Sequence, residues 1–405
     1  MNILLVCSSF PYPPHEGIKM PVYNLIRSFT KNGHSVILLS FIRKDEKKYL
    51  STIKSICKEV VVVEHTISKD IIKRVFYTLF GKKPFNIYQF YSEKFLEELK
   101  RIINFYENID VIFFDFFTVA EYASFLNIKT PILLHYYDAM SMLFYRNFVV
   151  ENNILKKYYW YKQYKKLLNF ENRLQFIFDK IVVVSSKDKN WLCEKSKIEP
   201  TKIKVIPNGV DIEYFYYKFN TSFEEQPYSL LFRGIMSFKP NIDACIYFLK
   251  KIYPIIKKEI PEVKFYIVGP NPPKNLIRYT KKDKNIIITG YVEDVREYIV
   301  KCKINICPMI SGSGIKNKIL EALAMGTPSV ITPIASEGIP ELKDKENILI
   351  ASNPQEFATK IKLLFEDEQL YRKISLNGRK LIEENYTWQK VAGEFEKVFK
   401  EISSK

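Results

Sequence analysis

Cysteine is sparse and dispersed. The six residues Cys7, Cys57, Cys193, Cys245, Cys302 and Cys307 form no Cys-x-x-Cys pair, which argues against both a disulfide framework and a zinc site. Cys7, Cys245 and Cys307 sit inside apolar runs, the usual setting of buried thiols. Only four histidines are present and no Asp-x-Asp occurs, so no side chains cluster with metal-ligand spacing. No run approaches the roughly 18–20 uninterrupted apolar residues of a membrane span. Met1–Cys7 has no basic stretch ahead of its apolar run; a signal peptide is not expected, and the expected location is the cytoplasm. Low-complexity segments and short repeats are missing too. What is present, 47% hydrophobic and 26% charged residues over 405, is a globular composition of two or three domains.

Charge and glycine are unevenly spread. Of 62 Lys and Arg and 45 Asp and Glu, 32 and 20 lie at or before residue 205, so the front half holds +12 of the net +17. This suggests an anionic neighbour such as acidic lipid, a phosphorylated substrate or nucleic acid; a lysine-rich background accounts for it equally well. Glycine runs the other way. Gly17, Gly33 and Gly81 precede residue 205, and the other ten follow it.

Short apolar runs alternate with amphipathic segments along nearly the whole chain. Asn2–Cys7, Ser35–Phe41, Val60–Val63, Asp110–Phe114, Pro131–Leu134 and Lys180–Val184 read as strands buried on both faces, the mark of a doubly wound parallel sheet. The pattern restarts with Tyr228–Phe232, Val263–Val268, Asn285–Ile288, Ile304–Cys307, Ser329–Ile331 and Asn347–Ile350. The expected fold is α/β with two Rossmann-like domains, 1–206 and 207–385, followed by a tail over 386–405. Gly234, Gly269, Gly290, Gly312 and Gly314 each fall just after a predicted strand, where an open α/β sheet binds its ligands.

The most informative segment is Pro308–Pro328, which reads as a glycine loop (Gly312-Ser313-Gly314) running into a helix that ends at Gly326. Loop amides and a helix N-terminus make an anion site. Lys316 and Lys318 fall in the first turn, a position unfavourable to cations unless an anion is bound there. Glu321 lies further in, where a carboxylate can accept hydrogen bonds from a sugar or ribose diol.

Gly-x-Gly-Ile-Lys-x-Lys-x-Leu-Glu-Ala-x-Ala-Met-Gly-x-Pro resembles the donor-site signature of the family 4 glycosyltransferases. The resemblance extends over Pro11–Gly17, Lys31–Val36, Phe178–Ser185, Val205–Asp211, Phe232–Met236 and Gly290–Asp294. It implies the GT-B architecture, two Rossmann-like domains facing a cleft, with a C-terminal helix crossing back to the first. It also implies retaining, metal-independent transfer of a sugar from a nucleotide-sugar, UDP ahead of GDP, bound by the second domain. The acceptor, held by the first domain, would be a glycan, a lipid-linked sugar or a protein. On this resemblance Glu321 binds the ribose and Tyr291 and Val292 meet the base. Gly17, Gly234, Gly312, Ser313, Gly314, Lys239, Lys316 and Lys318 surround the diphosphate and sugar. No cofactor is implied. Two positions depart from the family pattern: Ser313 replaces a frequent glutamate, and Ile235 a frequent arginine, which leaves Lys318 and Lys316 to supply the phosphate charge.

His135 and Asp138, at the end of the strand Pro131–Leu134, are candidate catalytic groups for acceptor positioning or proton handling. Ile154–Phe170 mixes lysines and aromatics around a helix as at a membrane surface. It gives a peripheral contact with anionic lipid at the inner membrane face, or else a partly buried helix with solvated lysines. No nucleic-acid-binding module accompanies it. Two further readings stay open, a sugar-nucleotide epimerase on the same fold and a non-catalytic nucleotide-sugar-binding partner.

Overall fold

The structure is a computed structural model, and it describes residues 1–14, 19–65, 71–216, 228–312 and 314–404, with the side chains of 71–74 left aside. The chain divides into two compact units, one of Met1–Pro207 with Trp388–Lys405 and one of Asn208–Thr387.

The first unit holds seven parallel strands: β1 (Asn2–Cys7), β2 (Ser35–Ile42), β3 (Glu59–Glu64), β4 (Val111–Asp115), β5 (Ile132–Tyr137), β6 (Lys180–Val183) and β7 (Ile203–Val205). They lie in the order β3-β2-β1-β4-β5-β6-β7, so the winding reverses between β1 and β4. Leu5 pairs with Leu38 on one side and Phe113 on the other. Alternate residues of β1 to β6 feed two separate cores, one on each face of the sheet, which is why these strands read as continuous apolar runs. The C-terminal helix Trp388–Ser403 packs on one of those faces through Trp388, Phe395 and Phe399. Phe29 and Phe113 meet the Phe395 and Phe399 rings at 5.2–6.4 Å between centroids, and His34 Nε2 lies 3.1 Å from Glu396. The expected return of the tail to the first domain is the observed arrangement.

The second unit has six parallel strands: β8 (Ser229–Arg233), β9 (Lys264–Val268), β10 (Ile286–Gly290), β11 (Ile304–Cys307), β12 (Ser329–Ile331) and β13 (Leu349–Ile350). Their order is β10-β9-β8-β11-β12-β13, which puts the reversal between β8 and β11. The loops that follow these two strands, at Gly234 and at Pro308–Lys316, therefore flank the point where a doubly wound sheet opens a ligand crevice. The helix at 354 begins as its sequence dictates: Asn353 accepts from the Glu356 amide at 2.9 Å, and Pro354 takes the first helical position. All six cysteines are free thiols, and Cys7, Cys245, Cys302 and Cys307 are buried.

Candidate donor site

The site forms where β8 and the helix Asn317–Ala324 meet. β8 ends in Arg233, a cation only 5% exposed after the apolar run Leu230–Phe232. Its guanidinium lies 2.6 Å from Glu321 Oε2 and donates to the Lys318 carbonyl at 3.0 Å. Both partners belong to that helix, so one arginine fixes the first turns of the helix against the strand end. It also orients the Glu321 carboxylate, which is 13% exposed.

Lys318 reaches across the same junction. Its ammonium donates to Asn241 Oδ1 at 2.7 Å and lies over the Phe232 ring at 4.3 Å, while Asn241 Nδ2 donates to the Ile235 carbonyl at 3.0 Å. Among the described residues no carboxylate pairs with Lys318. Burial lowers its pKa from the ordinary 10.5 to about 8, and the positive Arg233 and Lys316 push the same way. Lys316 caps the helix and donates to the Gly314 carbonyl at 3.0 Å; the first turn has no acidic residue. Three cations and a helix N-terminus thus converge beside one carboxylate, a field suited to a diphosphate.

The backbone approaches closely here. A Cβ on Gly269 would lie 1.9 Å from the Gly234 carbonyl oxygen, and one on Gly234 would lie 2.6 Å from Asn241 Nδ2 and 3.1 Å from Lys318 Nζ. Both glycines have positive φ, +145° and +154°, so no other residue fits. The Gly269 amide donates to the Gly290 carbonyl at 3.0 Å, linking this turn to the end of β10. Beyond it Tyr291 is 66% exposed and Val292 is half-buried. Arg296 grips Asp294 through Nε and Nη2 at 2.5–2.9 Å and stacks over the Tyr214 ring at 3.9 Å. The arginine's hydrogen bonds hold the Asp294 carboxyl below its ordinary range. Burial, then the negative Asp294, raise the Tyr214 hydroxyl, with Glu321 adding to it.

The structure thus brings together Gly234, Gly312, Gly314, Lys316, Lys318 and Glu321. Lys239 is not part of this group: at the start of the helix Lys239–Tyr247 it pairs with Asp243 at 2.5 Å and is largely exposed. The ammonium beside Gly234 belongs to Lys318 instead. Arg233, Asn241 and Tyr214 are additions that the sequence reading did not single out. The one signal for Arg233 was a cation closing an otherwise apolar strand. Gly17 and Ser313 lie outside the described residues.

In the other unit, His135 and Asp138 lie at the carboxyl end of β5. His135 is 2% exposed; its Nδ1 lies 3.2 Å from Asp115 Oδ1 and its ring stacks on Tyr137 at 3.8 Å. The Tyr137 hydroxyl donates to the same oxygen at 2.9 Å. His135 is therefore enclosed among Asp115, Tyr137 and Phe395, while Asp138 is half-buried. Phe116, directly after β4, and Tyr137, the last residue of β5, both have positive φ (81° and 64°), a strained backbone for aromatic residues.

Two doubly wound sheets, one with a cationic glycine loop at its switch point, give the two-Rossmann architecture of the GT-B class. Comparison with known proteins agrees. Residues 16–214 match the model of Glycosyltransferase Family 4, and residues 227–367 match that of Glycosyl transferases group 1. The chain belongs to the family 4 glycosyltransferases. A 44.6 kDa protein of the cps region of Klebsiella pneumoniae is 25% identical over 99% of both chains. The UDP-Gal:α-D-GlcNAc-diphosphoundecaprenol α-1,3-galactosyltransferase of Escherichia coli is 23% identical over 50% of this chain and 55% of its own. HepE of Anabaena, solved in complex with UDP, superposes with a TM-score of 0.68 at 13% identity, covering 99% of this chain and 100% of its own. The protein is a glycosyltransferase.

Proposed function

We propose that the protein transfers a sugar from a UDP-sugar, with retention of anomeric configuration and without a divalent metal, to a lipid-linked or other glycan acceptor at the inner membrane face. The observation that carries this is the cluster of Arg233, Lys316 and Lys318 around the glycine loop with Glu321 as its one paired carboxylate. Glu321 is the acceptor for the ribose hydroxyls. Lys318 and Lys316 neutralise the diphosphate as the glycosidic bond breaks, the part a metal ion would otherwise play. Lysine acts there as a point charge, where arginine would grip bidentately. Tyr291 and Val292 meet the base, beside the stacked Tyr214 and Arg296.

UDP is favoured because HepE was solved with it and the E. coli relative, by its name, uses UDP-Gal and forms an α-1,3 linkage on a diphosphoundecaprenol-borne sugar. On the acceptor side, Asp138 positions the incoming hydroxyl, and His135 acts as a positioning residue through Asp115.

The test is incubation in EDTA with a panel of UDP-hexoses and polyprenyl-diphosphate-linked sugars, with the new linkage read by NMR. An α linkage from an α-linked donor supports the proposal. A β product, or dependence on a divalent metal, overturns it; donor isomerised without acceptor points to an epimerase.

A further inference from the structure

The helix Met140–Val150 and the helix Ile154–Ile177 form a hairpin joined by residues 151–153. Away from the turn they pack on each other through Phe144 on Trp160 and Tyr145 on Tyr164, at 5.1 and 5.2 Å between ring centroids. At the turn itself four large aliphatic side chains face solvent: Val149 (54% exposed), Val150 (60%), Ile154 (81%) and Leu155 (81%). Single exposed aliphatics are ordinary, but four within seven positions at one helical turn form a patch that needs a reason.

The turn is firmly built. Asn153 caps the second helix by accepting from the Lys156 amide at 3.1 Å, and Glu151 accepts from the Asn153 amide at 3.0 Å. The apolar side chains are thus carried on a fixed support, where exposing them has no folding benefit.

The charge around them is predominantly positive, with Glu151 in the turn as the acid among the cations. Residues 152–170 contain five lysines and no Asp or Glu. Lys157 lies over the Phe148 ring at 5.5 Å and Lys162 over Tyr158 at 5.5 Å. The helix Ile71–Leu79 docks beside this surface, its Tyr77 and Thr78 carbonyls accepting from Lys166 at 2.7 and 2.8 Å. It adds the exposed Phe76, with the exposed Phe80 directly after it, and residues 71–92 hold four cations and again no acid.

We propose that the hairpin turn is a membrane wedge: Val149, Val150, Ile154 and Leu155 enter the boundary between headgroups and acyl chains of an anionic bilayer, and Lys156, Lys157, Lys162 and Lys165 meet the lipid phosphates. An aliphatic tip ringed by lysines fits such a bilayer in both respects. A second copy of the chain fits poorly, because two surfaces with a large excess of lysine would repel. The inference deepens the membrane-face part of the proposed function and rests on that reading, but it needs no donor.

Flotation of the full chain with vesicles, at two salt concentrations and without nucleotide, tests it. Vesicles of phosphatidylcholine with phosphatidylglycerol should bind the protein, and pure phosphatidylcholine should not. The double variant I154S/L155S should partition at least about tenfold more weakly, and K156A/K157A should bind with a shallower salt dependence. Both should keep the wild-type melting temperature and UDP-induced thermal shift, since none of the four side chains is buried and all belong to the first unit, while the donor-site residues belong to the second. Equal binding of wild type and I154S/L155S, equal binding to both vesicle types, or a solution dimer abolished by I154S/L155S would overturn the wedge. Loss of UDP binding in the wild type would strike the donor site alone.

Discussion

Arg233 holds Glu321 and the Lys318 carbonyl with one guanidinium, at 2.6 and 3.0 Å. The carboxylate proposed for the ribose and the backbone that carries the phosphate lysine are therefore tied to the end of β8 by a single side chain. The position directly before Gly234 does structural work for the whole site.

Replacing Arg233 by methionine leaves the Glu321 carboxylate partly buried and unpaired. Breaking such a pair from one side costs on the order of 3–5 kcal/mol. Urea unfolding of Arg233→Met should show a loss of this size, and Arg233→Lys should restore little, because an ammonium cannot repeat the planar two-partner geometry. A loss below about 1 kcal/mol would mean that the helix Asn317–Ala324 is held by its apolar packing alone.

Donor affinity should depend on pH through Lys318, whose pKa is lowered to about 8 by burial. A bound diphosphate keeps the ammonium protonated, so UDP affinity should be flat near pH 7, above the range of about pH 6 where the terminal phosphate of UDP itself takes up a proton. Above pH 8 it should fall by roughly tenfold per unit. Linkage to folding has its own sign. The unfolded chain binds this proton up to its ordinary 10.5 and the folded chain only to about 8, so in that window the unfolded state holds more protons and this group makes stability rise with pH. In Lys318→Met the dependence of affinity should vanish, as followed by calorimetry. The stability difference between wild type and variant should change with pH in the sense given, as followed by urea unfolding of both across pH 7–10. Lys303, lowered to about 8 by burial, and the buried Cys7 and Cys302 titrate alike in both.

Gly269→Ala should be severe although it adds one methyl group. The backbone conformation alone costs about 1–3 kcal/mol for a residue with a side chain, and the Cβ would meet the Gly234 carbonyl oxygen at 1.9 Å. Melting temperature and UDP affinity should fall together, because relief requires Gly234 to move away from Asn241 and Lys318. Gly393→Ala, where an added Cβ meets nothing within 4 Å, is the matched control and should leave UDP binding unchanged.

The sequence revealed the sheets well because parallel strands covered on both faces are apolar at every position, a pattern that survives without any partner information. β7 escaped that reading. Ile203-Lys204-Val205 is a three-residue edge strand with an exposed lysine at its centre, which looks like loop. β5 runs on to Tyr137, past the predicted end at Leu134, because His135 and the two tyrosines are buried through side-chain partners that no local pattern announces. The glycine loop and its lysines were legible since glycine, lysine and a helix start stand together in the chain. Arg233 was not, because its two partners lie 85 and 88 positions away. Lys239 misled for the converse reason: it is near Gly234 in sequence, but a helix turns it onto Asp243 four residues on.

The central claim is a metal-free UDP site built on Lys318 and Glu321. Isothermal titration of UDP and of uridine in EDTA, on wild type, Lys318→Ala and Glu321→Ala, tests it most directly. The account predicts that wild type binds UDP in EDTA. Lys318→Ala should lose about tenfold or more for UDP while binding uridine normally, and Glu321→Ala should weaken both, since a hydrogen bond to a charged group contributes roughly 1.5–3 kcal/mol. Binding of UDP only after a divalent metal is restored, or wild-type UDP affinity in Lys318→Ala, would contradict it.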